Sequence, residues 1–200
     1  MLHTSVFPMR ILPISLGVFL LAFASAGIVL RPQRVQAGTA LQMNITEVVL
    51  QADLILEAHV LSMRSFENEG MIETEYLLQV EHTFLGEDES TRIVRLPGGV
   101  LADGSGMILA GMPRLSEGED TLLFLSSEGA SGIRMPVGLA QGKYGVQVNQ
   151  AGAKELISDQ SGVLLVGANG AIASGEGRKL LSYAHVISEI EAALAAREED

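Results

Sequence analysis

Cysteine is absent from the 200 residues, and so is tryptophan. The first absence excludes disulfides, zinc ribbons, thiol nucleophiles, iron–sulfur ligation and a lipid-modified N-terminal cysteine together. Positive charge is scarce, with 13 Lys and Arg against 24 Asp and Glu, a formal charge of −11 and a pI near 4.8. Phosphate backbones need a basic surface, so nucleic acid is not an expected partner. What is present suits one globular domain, since 48% of the residues are apolar and the length is that of a single core.

The scarce cations are unevenly placed. Arg10, Arg31 and Arg34 precede residue 37 and every acidic residue follows it. Residues 11–30 form an apolar run, and small-x-small sites end at Ala26 and Ala37. A basic region, an apolar region and such a site in this order predict a secretory signal peptide over residues 1–37. Processing after Ala37 removes the basic stretch 31–34, whereas processing after Ala26 leaves it. Met9 is an alternative start, because Met9-Arg10 opens a more compact signal. An uncleaved anchor is the rival reading, since 20 apolar residues can just span a bilayer. Loss of 1–37 takes three cations and no carboxylate, leaving a formal charge of −14, as expected of a secreted or periplasmic protein.

Beyond residue 37 the pattern predicts a mainly β fold with flanking helices: a small antiparallel, OB-like barrel over 38–150 and a C-terminal extension, 151–200, ending in an amphipathic helix. Asn44 stands three residues before Glu47 and ahead of Val48, Val49 and Leu50, the signature of a capped short helix. Asn44-Ile45-Thr46 also matches a glycosylation sequon, but the cap explains it sufficiently. Residues 53–64 alternate, with Leu54, Leu56, Ala58 and Val60 on one face and Glu57 and His59 on the other. Residues 72–84 alternate for longer, with Tyr76, Leu78, Val80, His82 and Phe84 on one face, as in the long bent strands of small barrels. Ser65 to Gly70 reads as the polar loop between them. Further strands are expected at 91–96, 121–125, 135–139 and 143–148, then a glycine-rich loop at 167–177. In the final helix Leu180, Tyr183, Ile187, Ile190 and Leu194 fall on one face.

Chemistry-bearing patterns are few. His3, His59, His82 and His185 show no metal-ligand spacing. The segment 170–175 has the glycine spacing of a phosphate loop, but Glu176-Gly177 stand where a lysine and a hydroxyl are required. Ser105 lacks the glycine two residues earlier that a nucleophile elbow needs. Glu73 and Glu75 share a strand face and read as solvated. Asp103, Glu117, Glu119 and Asp120 make a calcium candidate without an ordered ligand spacing. No metal, cofactor or catalytic residue is therefore assigned. The remaining signal is the glycine-rich segment 99–115, where Val100, Leu101, Met107, Ile108, Leu109 and Met112 are the expected contact residues for a protein partner, methionine being adaptable. The alternative is that they fold back as a lid on the barrel end.

Leu96-Pro97-Gly98-Gly99, Gly111-Met112-Pro113, Glu117-Gly118-Glu119, Leu122-Leu123-Phe124-Leu125 and especially Val137-Gly138-Leu139-Ala140-Gln141-Gly142-Lys143-Tyr144 resemble, in this order, a family of exported bacterial proteins of uncharacterised activity. The resemblance covers most of 45–148 and implies occasional association with matrixin-like metalloproteases, hence an exported protease as a partner class. The barrel is similar in architecture to netrin-like and metalloprotease-inhibitor domains. Their zinc chelation needs an N-terminal cysteine, so it does not carry over. The expectation is an exported, non-catalytic binding or accessory domain. The rivals are a secreted hydrolase using carboxylates and an envelope protein held by its N-terminal segment.

Overall fold

The computed structural model describes residues 37–199. The signal segment and its processing therefore fall on residues that, Ala37 apart, lie outside the described ones. In chain order the elements are β1 (Gly38–Leu41), α1 (Ile45–Gln51), β2 (Leu54–Asn68), β3 (Met71–Leu85), β4 (Thr91–Pro97), β5 (Gly99–Val100), β6 (Gly106–Met107) and β7 (Asp120–Leu125). A 3₁₀ turn, Leu139–Gly142, leads into β8 (Lys143–Val148), β9 (Lys154–Ser158), β10 (Val163–Val166), β11 (Ile172–Ser174), β12 (Lys179–Ser182) and α2 (Tyr183–Glu198).

Helix α1 starts as its sequence predicts. The Asn44 side chain accepts from the Glu47 amide and the Glu47 carboxylate accepts from the Asn44 amide, so two end groups are satisfied reciprocally. Its Val48 and Val49 are buried against α2 and the sheet.

Seven strands form one antiparallel sheet in the order β12-β9-β8-β7-β2-β3-β4. The expected OB-like barrel is not closed: β12 and β4 are edges that do not pair with one another. Single bridges from Ile133 to Arg95 and from Pro136 to Leu125 carry a chain segment across from β4 to β7. This replaces the strand expected at 135–139, where Pro136 cannot donate to a ladder. The sheet continues past residue 150, because β8 pairs with β9 and β9 with β12. A separate three-stranded sheet, β1-β10-β11, takes in part of the stretch read as loop and joins Gly38 in parallel register to Val163.

Both faces of the central sheet are buried, which is why Leu54–Ala58 is apolar almost without interruption. One face carries Leu54, Leu56, Ala58, Val60, Tyr76, Leu78, Val94, Leu96, Leu123 and Leu125. The other carries Ile55, Leu122, Phe124, Tyr144 and Leu156 under α1 and α2, with Val186, Ile190 and Ala193 of α2 inserted. Leu180, expected on the helix, lies in β12 and is exposed, because the helix begins after Ser182, whose hydroxyl caps it.

The β2–β3 ladder has three irregularities. Glu81 and Phe84 are unpaired extra residues on β3, and Leu61 is one on β2. Each inserted residue turns the following side chains over. Val80 therefore packs with the first core while Phe84 and Leu85 pack with the second. The expected single face through His82 and Phe84 is corrected accordingly. The predicted loop 65–70 is also shorter than expected: the strands run on to Asn68 and Met71. Glu69 and Gly70, both at positive φ, make the two-residue turn whose twist matches a hairpin.

Glu57 breaks the apolar run of β2 and is 1% exposed. Lys154 Nζ on β9 donates to Glu57 Oε1 at 2.5 Å and to Glu81 Oε2 at 3.3 Å, and Tyr183 Oη donates to Glu57 Oε2 at 2.5 Å. As β9 lies three places from β2 in the sheet, this contact requires the sheet to curl strongly without closing. Burial, then the bond to Glu57 and its charge, push the Tyr183 hydroxyl up to about 12; burial, reinforced by Glu189, does the same for Tyr144. Unfolded tyrosines titrate near 10, so the native state holds these protons more tightly. Their contribution to stability is complete below about pH 10 and lost as pH rises towards 12. Denaturation midpoints should fall across that window, and Tyr144→Phe, which has no proton to lose, should flatten part of the fall.

Candidate functional site

The segment following β4 is fixed at two close backbone approaches. At its root, Gly99 (φ 149°) lies so near Ser65 and Thr74 that a Cβ would sit 2.3 Å from Thr74 Oγ1. Thr74 Oγ1 in turn donates to the Gly98 carbonyl at 2.7 Å. Further along, Gly38 of β1 packs on Ala110, where a Cβ would meet the carbonyl oxygen at 2.2 Å. Between these points β5 and β6 form a minimal hairpin, so the glycines do permit a regular element here.

The six apolar residues singled out from the sequence divide between two roles. Met107, Leu109 and Met112, with Val100, border a small pocket of about 90 Å³ above Tyr76, Leu96 and Leu115, as a lid would. Ile108, Leu109 and Met112 also border a larger open cleft of about 570 Å³ on the other side. Leu101 borders neither. Ile108 is 75% exposed and Val100 51%, although Val100 also borders the small pocket.

The charged part of the larger cleft's lining was not legible in the sequence. It comprises Arg114, Glu119 and Lys143, with Asp159, Ser161 and Arg178 from the β9–β10 and β11–β12 connections. Lys143 and Glu119 are ion-paired, and Glu119 also accepts from the Ser116 amide. The Ser161 hydroxyl and amide, with the charges of Lys143 and Arg178 behind them, hold the Asp159 carboxyl below its ordinary range. Both carboxylates of the cleft are thus engaged. The only signal for this part of the lining in the sequence was the rarity of cations, which carries no periodicity.

The calcium candidate disperses. Asp103 is bonded by Ser105, Glu117 by the Met63 amide, Glu119 by Lys143, and Asp120 by His59 Nδ1 at 2.5 Å across the β2–β7 register. Among the described residues no group of three His, Asp or Glu side chains is placed to hold a metal ion. Glu73 and Glu75 are not the solvated pair the alternation predicts. Glu75 bridges Arg64 and Arg95, while Glu73 is 1% exposed, with one oxygen bonded by Asn68 and the other without a partner. His82 stacks edge-on against Phe84 at 4.3 Å, apart from the cleft. Comparison of the chain with protein-family models finds no match, and neither does a search of curated proteins.

Proposed function

We propose that the chain is an exported, non-catalytic binding or accessory domain, secreted or periplasmic, that receives a protein partner on segment 99–115 and the cleft beside it. The observation that carries this reading is that two apolar side chains, Ile108 and Val100, are exposed to solvent on a segment closely approached at Gly99 and at Ala110. A preorganised apolar projection beside a concavity of this size is what recognition uses, since little ordering entropy remains to be lost on binding. The resemblance drawn from the sequence makes an exported protease the partner class to examine first. A hydrolase working through carboxylates is the alternative reading, though the two carboxylates of the cleft, Glu119 and Asp159, are already bonded by Lys143, Ser116 and Ser161.

The test is to recover the protein and its Val100→Ser/Ile108→Ser variant from the extracytoplasmic fraction. The parent chain should begin at Gly38 and carry a partner in fixed proportion. The variant should lose that partner while its melting temperature stays within about 2 °C, as exposed substitutions do. A full-length chain retained in washed membranes would favour the anchored envelope reading instead. Equal recovery of partner by the variant, or a large fall in melting temperature, would overturn the interface.

A further inference from the structure

We infer that the cleft beside segment 99–115 is built for a carboxylate-bearing peptide: a partner's segment presenting one or two Asp or Glu side chains next to an apolar one. The inference rests on the binding reading above and names the chemistry of its occupant.

Residues 38–200 contain ten Lys and Arg and 24 carboxylates. In such an excess every cation should find a partner, and eight do: Arg64, Arg92, Arg95, Arg134, Lys143, Lys154, Lys179 and Arg197. Among the described residues Arg114 and Arg178 alone make neither an ion pair nor a side-chain hydrogen bond. They are far apart in the chain, yet both border this cleft. The cleft's three cations face two carboxylates, and those are already satisfied by Lys143, Ser116 and Ser161. A local positive excess therefore persists within a strongly acidic molecule.

The apolar part of the lining decides between anions. Ile108, Leu109 and Met112 offer nothing to a bare phosphate, and a volume of about 570 Å³ exceeds what one needs. They suit an aliphatic side chain flanking a carboxylate, and a guanidinium fork matches a carboxylate with two parallel hydrogen bonds. The net acidity of the whole protein repels polyanions, which restricts the occupant to a peptide with few charges rather than an acidic run or a nucleic acid.

Isothermal titration at physiological ionic strength tests this with a short end-capped peptide holding one Glu between leucines, its Gln counterpart, and inorganic phosphate. The Glu peptide should bind at least about tenfold more tightly than the Gln peptide. Arg114→Gln/Arg178→Gln should abolish that difference without lowering the melting temperature, both side chains being exposed. Arg64→Gln, whose side chain does not border the cleft, should leave it unchanged. Equal binding of the two peptides, undiminished binding by the double variant, or displacement by phosphate at comparable concentration would each overturn the carboxylate assignment. The binding reading fails separately, through Val100→Ser/Ile108→Ser, so a partner lost by that variant but kept by the arginine double variant removes only the present inference.

Discussion

Replacing Lys154 by Met should destabilise the folded chain by about 1 to 3 kcal/mol, the range for depriving a buried acceptor of one partner. Lys154 is itself partly exposed; the cost arises at Glu57, whose side chain is 2% exposed and would keep only the Tyr183 bond. A buried carboxylate that loses its cation is expensive because little water reaches it. The control is Glu57→Gln/Lys154→Met, which removes the charge, keeps an acceptor for Tyr183, and should recover most of the loss. Denaturant unfolding of the three proteins at neutral pH measures both changes. A double variant no more stable than Lys154→Met would show that lost aliphatic packing, not the stranded charge, sets the cost.

Leu78→Ala should cost about 2 to 5 kcal/mol, and Gln79→Ala, one residue further on, within about 0.5. Leu78 is fully buried with Tyr76, Val94 and Leu96, whereas the Gln79 side chain is exposed on the other side of the strand. Removing three carbons from Leu78 leaves a void that two neighbouring strands can only partly close. The same unfolding experiment reads both variants. Losses of similar size at the two positions would dissolve the alternation on which the assignment of β3 rests.

That alternation shows where the sequence is readable and where it stops. From Thr74 to Val80 side-chain chemistry alternates with the pleat and the faces follow directly, whereas burial on both sides removes that contrast from Leu54 to Ala58. Past Val80 the faces do not follow, because a bulge is a backbone event that needs no characteristic residue, and the one at Glu81 reverses β3 before Phe84. The cap at Asn44 is legible because it is local, two side chains closing on two amides three residues apart. The cleft is the opposite case. Its cations come from the chain before β7, the start of β8 and the connection before β12, and only the pairing of β7, β8, β9 and β12 side by side brings them together. The charge of Glu57 among Leu54, Ile55, Leu56 and Ala58 was visible, but its partner Lys154 was not, for the same reason.

The parallel pairing of β1 with β10 also fixes an order of assembly. Gly38 is among the first described residues to be synthesised, yet its partner Val163 emerges only near the end. Pairs so distant in the chain meet a large loop-closure cost before any contact rewards them, so they form late. Until β1 docks, the carbonyl of Ala110 has no Gly38 beside it, and the inner end of the apolar loop is without its support. Segment 99–115 thus takes its final support only after the central sheet that carries it has formed.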